Sequence, residues 1–255
     1  MMTDVFSLSG KVGLVTGSSR GIGWAIAQLL AASGAHVVLN GRDRQALDAR
    51  LDALSSKDLE ASAAAFDTTD ERAIVDAVST IVARHGRLDI LVANAGIAHR
   101  AALHEHSLGD FRRVIETNLT ACFTLAREAS KAMRDRGSGR IIFVASIMGQ
   151  IARPGVASYI ASKGGLASLC KALAVELGPE GITCNAICPG FTATDMTRPL
   201  QENTEFNAWV IGSTPVRRWA DPSEIAAAAL FLASDSASFV TGHLLTVDGG
   251  FSINA

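Results

Sequence analysis

The sequence has few of the residues that build covalent or metal-linked frameworks. Its 255 residues include four cysteines, six prolines and one tyrosine. The cysteines, at positions 122, 170, 184 and 188, form no Cys-x-x-Cys pair and have no histidine cluster beside them, so nothing supports a structural zinc site. We predict no metal site, and we expect these four residues to be buried, reduced thiols of a cytoplasmic protein.

Other absences argue against two further classes of protein. The formal net charge is only −2 and the 23 basic residues are scattered, so no basic surface for nucleic acid is indicated. The longest strongly apolar stretch, residues 225–233, is far too short to cross a bilayer, and residues 1–11 lack the apolar run of a signal peptide. We therefore expect the partner to be a small molecule, and neither a nucleic acid nor a membrane.

Hydrophobic residues are abundant and follow a regular order. They make up 48% of the chain against 19% charged residues, which allows a large core. Short apolar runs alternate with longer segments of helical period, and such runs are typical of parallel strands buried on both faces. The predicted strands are 12–16, 36–40, 61–66, 88–93, 140–145, 182–187 and 244–247. The predicted helices are 21–33, 43–54, 70–85, 111–136, one from near Tyr159 to Leu177, and one that begins at Asp221.

This order predicts an α/β fold. We expect a single-domain, doubly wound parallel sheet of about seven strands with helices on both faces, because repeated strand–helix–strand units produce that arrangement. No linker or repeat divides residues 1–255. Residues 189–215 lack strand character and are long for a plain loop, so we interpret them as a lid over a site.

A glycine-rich turn follows the first predicted strand and opens the first predicted helix. Gly17 permits a tight turn, Gly21 lets the backbone approach a pyrophosphate, and Gly23 lets the helix pack on the strand. The helix N-terminus then offers free N–H donors and a positive dipole to the phosphates. Glycine clusters also mark ordinary turns, but the position of this one favours a Rossmann-type dinucleotide site.

The end of the second strand indicates which dinucleotide binds. Proteins that select NAD usually place an acid there, and residues 39–41 contain none. Arg20 and Arg42 are instead available to a 2′-phosphate, which favours NADP, with NAD as the alternative. Asp43 falls near the position expected for the acid, but it is also well explained as a helix cap.

The only tyrosine, Tyr159, lies four residues before Lys163, so the two side chains share one face of a predicted helix. An ammonium beside a phenol favours the phenolate, and Ser146 is available to hold a carbonyl oxygen by a hydrogen bond. The three indicate proton transfer to or from an oxygen, which is half of a carbonyl/alcohol redox reaction. Tyr-x-x-x-Lys also occurs by chance, and a lone tyrosine is more often a half-buried packing residue.

Together these residues resemble the short-chain dehydrogenase/reductase family over nearly the whole chain. The further motifs that carry the resemblance are Asp67 after the third strand, Asn94-Ala95-Gly96 after the fourth, Asn118 in Glu116-Thr117-Asn118-Leu119, Pro189-Gly190 with Thr192 and Thr194, and Val247-Asp248-Gly249-Gly250. Ala93 is a departure, because the family often has an asparagine there. We expect this change to cost one hydrogen bond near adenine and to leave function intact.

The resemblance implies a catalytic tetrad and a set of cofactor contacts. In the tetrad, Tyr159 transfers the proton, Lys163 also touches the nicotinamide ribose, Ser146 polarises the substrate oxygen and Asn118 supports a water chain. The cofactor residues it implies are Gly17, Ser19, Arg20, Gly21, Ile22, Gly23, Asn40, Arg42, Asp67, Asn94, Ala95, Gly96, Tyr159, Lys163, Pro189, Gly190, Thr192 and Thr194. It also implies a homotetramer, built partly through the two long helices that flank the sheet.

A closer likeness is to the sugar-acid dehydrogenases of this family, which interconvert gluconate and 5-ketogluconate, usually with NADP. Residues 4–10, 37–42, 152–156 and 217–219 carry it. An anionic sugar acid needs a cation in its pocket, so Arg100 and Arg153 are the candidate substrate residues. Two surface arginines are an equally good interpretation.

Two alternative functions remain open. His99 stands where that subgroup has a second arginine. A 3-oxoacyl-[acyl-carrier-protein] reductase, or another carbonyl reductase of the family, is the first alternative, although no basic patch for an acidic carrier is obvious. A non-catalytic nucleotide-sensing protein would keep the fold, and the intact Ser146, Tyr159 and Lys163 argue against it.

Overall fold

Seven parallel strands form one sheet in residues 5–254, the part of the chain that the computed structural model describes. In chain order they are β1 (Val12–Val15), β2 (His36–Gly41), β3 (Ala61–Ala65), β4 (Ile90–Ala93), β5 (Gly139–Val144), β6 (Ile182–Pro189) and β7 (Leu244–Val247). In space they lie in the order β3-β2-β1-β4-β5-β6-β7. The order reverses between β1 and β4, which opens a crevice at the carboxyl ends of these two strands.

Nine helices of α type connect the strands in the described residues. They are α1 (Gly21–Ala32), α2 (Arg44–Ser55), α3 (Glu71–His85), α4 (Leu108–Ile115), α5 (Ala121–Arg134), α6 (Ala157–Leu177), α7 (Arg198–Glu202), α8 (Thr204–Ser213) and α9 (Pro222–Ala233). The doubly wound sheet with helices on both faces, predicted from the alternating pattern, is confirmed.

Two apolar layers cover the two faces of the sheet. One layer packs α3, α5 and α6 against side chains such as Leu14 and Phe143, and the other packs α1, α2 and α9 against side chains such as Val15 and Val92. Successive strand residues point to opposite layers, which explains why these strands read as continuous apolar runs. Each fully buried side chain of this size stabilises the fold by roughly 1.5–3 kcal/mol.

Aspartates begin several of the helices. The Asp43 carboxylate accepts a hydrogen bond from the Ala46 amide, and Asp70 does the same for Ala73. Asp221 forms a capping box with Glu224 at the start of α9. These contacts satisfy N–H groups that have no partner inside the helix. The interpretation of Asp43 as a helix cap is therefore confirmed.

The predicted helix 111–136 is wrong in two respects. It begins earlier, at Leu108, because the Ser107 hydroxyl accepts a hydrogen bond from the Asp110 amide and caps α4. It is also interrupted by a π-helical turn, Glu116–Thr120, between α4 and α5. Such turns frequently mark functional sites, and this one contains Asn118.

Residues 189–215 were expected to be irregular, and the structure places α7 and α8 within them. The Asn203 side chain accepts a hydrogen bond from the Phe206 amide and so begins α8 directly after α7 ends. Both helices are short and carry weak apolar periodicity, which is why the sequence pattern did not indicate them.

Three sequence expectations concern properties other than the fold. All four cysteines are buried and free, as predicted, and burial raises the pKa of the Cys122 thiol to about 11. None of the helices in residues 5–254 is long and apolar enough to span a bilayer. The interpretations of residues 1–11 and 4–10 fall partly on residues 1–4, which lie outside the described part of the chain.

Candidate active site

The glycine-rich turn lies where β1 ends and α1 begins. Gly17 and Gly21 have positive φ angles of 61° and 57°. A Cβ atom on Gly23 would lie 2.4 Å from both the Gly17 carbonyl oxygen and the Asn94 amide nitrogen, so no other residue fits without moving the turn. The first turn of α1 is thereby held against β1 with its N–H groups directed at the crevice.

Thr16 and Asn94 join this turn to the end of β4. The Asn94 amide nitrogen donates to the carbonyl oxygens of Thr16 and Gly17, at 2.9 and 3.1 Å. The Thr16 hydroxyl accepts from the backbone amides of Asn94 and Ala95, at 3.0 and 3.1 Å. Asn94 therefore fixes the shape of the phosphate turn in addition to lining the groove beside it.

One open groove follows the carboxyl edge of the sheet. Every residue that the sequence predicts for the cofactor lines this groove, from Gly17 to Thr194 in chain order. Asn118 is the one predicted tetrad member that does not line it. Since the groove includes the glycine turn and the crevice between β1 and β4, its shape fits a dinucleotide.

Two arginines, Arg20 and Arg42, line this groove, and nearby carboxylates neutralise little of their positive charge. Arg42 is largely exposed, and its only ion pair among the described residues is a loose one of 3.8 Å with Asp67. Arg20 is also exposed and forms no ion pair in that part of the chain. One Asp67 oxygen is occupied by the Thr69 amide and hydroxyl, and the amide contact is the largest cause that lowers the Asp67 pKa. Arg20, which has no ion pair among residues 5–254, and Arg42, whose pair with Asp67 is loose, are therefore both available to a phosphate.

The structure adds Arg50, which the sequence reasoning missed. Its Nε donates to the Ser19 carbonyl oxygen at 2.8 Å, and its guanidinium lies 4.7 Å from the centre of the Trp24 ring. Asn40, by contrast, is buried, and its side chain bonds to backbone groups of Gly17, Ala64 and Phe66. Both residues support the loop, and direct contact between Asn40 and the cofactor stays a prediction.

Ser146, Tyr159 and Lys163 meet near the middle of the groove. Lys163 lies one turn after Tyr159 in α6, and its ammonium is 5.7 Å from the centre of the Tyr159 ring. It donates to the Val144 carbonyl oxygen at 2.7 Å and is only 4% exposed. Ser146 follows β5, and its hydroxyl accepts from the Met148 amide at 3.1 Å. The turn after β5 and the first two turns of α6 thus bring the three side chains together.

Gly149 makes this approach of β5 and α6 possible. A Cβ atom there would lie 2.9 Å from the carbonyl carbon and oxygen of Lys163. The turn that carries Ser146 can therefore pack on the Lys163 backbone only if residue 149 is glycine. No local sequence pattern indicates this contact, since Gly149 and Lys163 lie in different elements.

The Asn118 side chain has a structural role in the π-helical turn. Its Oδ1 accepts from the Ile97 amide at 2.8 Å, and its Nδ2 donates to the Ile97 carbonyl oxygen and the Ser162 hydroxyl, at 2.9 and 3.0 Å. The Ser162 hydroxyl in turn donates to the Tyr159 carbonyl oxygen at 2.7 Å. These bonds tie the loop after β4 to the helix that carries Tyr159, and the predicted water chain stays a prediction.

A second, smaller cavity adjoins the groove and shares Ser146 and Tyr159 with it. Both predicted substrate residues, Arg100 and Arg153, line it, and the rest of its wall is mainly apolar. Neither arginine forms an ion pair with a carboxylate of residues 5–254. Burial and then the charge of Arg100 lower the pKa of Arg153, so the positive charges face the same space without a counter-ion. His99 does not line this cavity, and its Nε2 lies 3.7 Å from the Asp110 carboxylate.

This geometry permits one kind of chemistry most directly. A carbonyl oxygen placed in the second cavity would meet the Tyr159 and Ser146 hydroxyls, with the buried Lys163 ammonium close to the Tyr159 ring. The adjoining groove would bring a nicotinamide ring to the same point. The fold and the site thus define a class, that of nicotinamide-dependent oxidoreductases with a doubly wound sheet.

Comparison with known proteins agrees with this class. A family model described as Enoyl-(Acyl carrier protein) reductase matches residues 17–252. The chain belongs to the short-chain dehydrogenase/reductase family, which this model represents.

The relatives resolve the family further. The chain is 43% identical over 251 residues to a gluconate 5-dehydrogenase of Gluconobacter oxydans (strain 621H), covering 98% of each chain. It is 39% identical over 244 residues to a 3-oxoacyl-[acyl-carrier-protein] reductase of Escherichia coli (strain K12), covering 96% and 98% of the two chains. Among solved structures, a gluconate 5-dehydrogenase from Burkholderia cenocepacia J2315 in complex with NADP and tartrate superposes with a TM-score of 0.96 at 36% identity, covering 99% of each chain.

Proposed function

We propose that this protein is an NADP-dependent oxidoreductase that interconverts a secondary alcohol and a ketone on a sugar acid of the gluconate and 5-ketogluconate type. The observation that carries the proposal is the pair Arg100 and Arg153, which lines the cavity beside Tyr159 and has no carboxylate partner among residues 5–254. Uncompensated guanidinium groups in a pocket favour an anionic ligand, and their planar N–H edges suit a carboxylate.

The catalytic roles follow from the contacts around Tyr159. In the direction of reduction, the Tyr159 hydroxyl donates its proton to the carbonyl oxygen, and the Ser146 hydroxyl donates a hydrogen bond to the same oxygen. When bound, NADPH supplies the hydride that the carbonyl carbon accepts. The Lys163 ammonium, held by Val144, stabilises the negative charge left on the phenol oxygen. Oxidation of the alcohol uses the same groups in reverse.

We infer NADP rather than NAD from the exposed Arg20 and Arg42 at the adenosine end of the groove. The glycine turn fits the pyrophosphate, since a Cβ atom at Gly23 would fill the space that the turn needs. The structures solved with NADP among the relatives support the same choice. NAD stays the alternative, because Arg42 already pairs loosely with Asp67.

The assembly, the location and the organisation of the chain are further parts of the proposal. We propose a homotetramer, a cytoplasmic location consistent with four separate, free thiols, and a single domain over residues 1–255. Residues 189–215, which contain α7 and α8, would act as a lid, since Met196, Thr197 and Leu200 line the substrate cavity.

A panel of substrates tests the function. Purified protein with NADPH or NADH is assayed at 340 nm against 5-ketogluconate, L-sorbose, acetoacetyl thioesters and simple ketones. We expect the highest kcat/KM with NADPH and 5-ketogluconate, and a much lower value with L-sorbose, which has a hydroxymethyl group in place of the carboxylate. A preference for acetoacetyl thioesters would favour the 3-oxoacyl-[acyl-carrier-protein] reductase alternative, which the 39% identical relative supports. No oxidation of either cofactor across the panel would favour a non-catalytic protein.

A further inference from the structure

An aromatic ring supports one of the two arginines of the substrate cavity. The guanidinium carbon of Arg153 lies 4.6 Å from the centre of the Phe206 ring. Arg153 belongs to the loop between β5 and α6, whereas Phe206 belongs to α8. Arg153 lines the cavity and Phe206 does not, so the ring contacts the arginine from outside the substrate space.

An aromatic ring beside Arg153 affects the guanidinium differently from a carboxylate. A carboxylate beside Arg153 would neutralise its charge and occupy its N–H groups. An aromatic face instead attracts the cation through its quadrupole and leaves the N–H groups, which lie in the guanidinium plane, free for another acceptor. Because burial and Arg100 both disfavour the charged form of Arg153, a stabilising contact that leaves these donors free is useful here.

The ring itself is held firmly. The centre of the Phe206 ring lies 5.7 Å from that of Phe191 and 5.1 Å from that of Trp209. Phe191 also packs against Phe251 at 5.0 Å, and it lines the substrate cavity. The Phe206 backbone is fixed in addition by its hydrogen bond to the Asn203 cap. Phe206 is therefore a rigid platform rather than an adaptable side chain.

We propose that Phe206 is a positioning residue for substrate selection: it holds the Arg153 guanidinium so that its N–H edge faces the carboxylate of an acidic substrate. The inference rests on the proposed function, because it takes Arg153 to bind the carboxylate. It makes α8, within residues 189–215, part of the device that recognises a sugar acid. Phe206 does not line the cavity, and in this proposal it acts on the substrate through Arg153.

Substitution of Phe206 by leucine and by tyrosine tests the proposal. We expect Phe206→Leu to raise KM for 5-ketogluconate by about 2- to 30-fold, the range of a desolvated cation–π contact, with kcat changed less than KM. KM for the neutral ketone 2,3-butanedione and the dissociation constant of NADPH should stay within about twofold, since neither involves the arginine. Phe206→Tyr keeps the aromatic face and should restore the original KM.

A double-mutant cycle separates this inference from the proposed function. Arg153→Gln should raise KM for 5-ketogluconate at least as much as Phe206→Leu, and the double variant should be no worse than Arg153→Gln alone. If Arg153→Gln leaves that KM unchanged, the carboxylate role of Arg153 is wrong and the inference fails with it. If Arg153→Gln acts but Phe206→Leu does not, or if Phe206→Leu impairs both ketones equally, only the inference fails. Phe239→Leu, at a fully exposed aromatic residue, is the matched control.

Discussion

Tyr159 is the residue on which the chemistry depends, and its environment explains why. It lies in the first turn of α6, half-buried, with the Lys163 ammonium 5.7 Å from its ring centre and the Ser146 turn packed beside it. Its phenol oxygen is the group best placed to exchange a proton with a carbonyl oxygen in the adjoining cavity. The phenyl ring of Tyr159 contributes packing. A substitution that removes the hydroxyl and keeps the ring therefore separates proton transfer from packing.

Removal of the hydroxyl group should therefore abolish turnover and leave the fold intact. We expect Tyr159→Phe to lower kcat by about 10²- to 10⁴-fold, the usual contribution of a general acid, with little change in NADPH affinity. Stopped-flow or steady-state assays with the best ketone, together with fluorescence titration of NADPH, measure both quantities. Ser158→Ala is the control, because the neighbouring Ser158 hydroxyl has no hydrogen-bond partner among the described residues. Near-normal turnover of Tyr159→Phe would contradict the assignment.

The residues that sequence reasoning found and those it missed differ in one physical respect. Tyr159 and Lys163 are four residues apart, so local helical geometry is enough to bring them together. Phe206 and Arg153 are joined only by the tertiary fold, and so are Gly149 and Lys163. No local pattern encodes such contacts. The pairing of Tyr159 with Lys163 was thus predictable, whereas the tertiary contacts that hold the site residues in place were not.

At the scale of elements, α9 shows how a short sequence motif determines where a helix begins. This helix packs with α1 in the apolar layer below the phosphate turn. Its capping box is complete: the Ser223 amide donates to Asp221 at 2.8 Å, and the Asp221 amide donates to Glu224 at 2.8 Å. Arg218 also makes two hydrogen bonds to the Glu224 carboxylate. The capping box therefore fixes the N-terminus of α9.

Loss of the cap should destabilise the protein by a measurable amount. We expect Asp221→Ala to lower the free energy of unfolding by about 1 kcal/mol at pH 7, and Glu224→Gln, which keeps the hydrogen bond to the Asp221 amide, to lower it less. Urea denaturation followed by circular dichroism gives both values. Equal losses in the two variants would contradict this order and mean that the ion pair with Arg218 supports α9 as much as the Asp221 cap does.

The same variants should respond to pH in a defined direction. The Arg218 guanidinium lowers the pKa of Glu224 from 4.5 to about 2, and the Ser223 hydroxyl lowers that of Asp221. A carboxyl whose pKa is lower in the folded state stabilises that state above its unfolded pKa, and the effect is lost as pH falls through the folded value. The difference in stability between wild type and Glu224→Gln should therefore narrow between pH 4.5 and pH 2. A difference that widens with acid would contradict this sign.

Other elements show where periodicity alone is insufficient. The bounds of β7 were predicted to the residue, and most of the other strands within one or two residues. The break between α4 and α5 was not predicted, because a π-helical turn adds one residue without changing the apolar character of the face. The two short helices in residues 189–215 were also not predicted: α7 has only five residues, and α8 depends on the Asn203 cap and on aromatic contacts made in the folded chain.

At the scale of the whole molecule, one topological fact assembles the site. Every predicted cofactor residue lines one groove at the carboxyl edge of the sheet, although they come from segments that begin at residue 17 and end at residue 194. Parallel strands bring their carboxyl ends to one edge, so residues that follow different strands become neighbours. This is why the cofactor groove could be predicted from motif positions, whereas the acidic-substrate pocket rests on two arginines in loops of no regular pattern.

The two long helices α5 and α6 also present apolar side chains to solvent in the isolated chain. Val175 on α6 is 80% exposed and Phe123 on α5 is 44% exposed. Burial of these helix faces against a second copy would explain the exposed apolar side chains, because removing apolar surface from water is favourable. We therefore predict a mass in solution of about four times the 26.6 kDa of one chain, measured by size-exclusion chromatography with light scattering.

A charge placed on this face should dissociate the assembly. Val175→Asp would bury an unpaired carboxylate between copies, so we expect a smaller species whose chain retains its circular dichroism spectrum. Val75→Asp on α3, at another partly exposed valine, is the matched control and should keep the mass of the wild type. A wild-type mass of 26.6 kDa, or an unchanged mass for Val175→Asp, would show that the exposed face of α6 is not an interface.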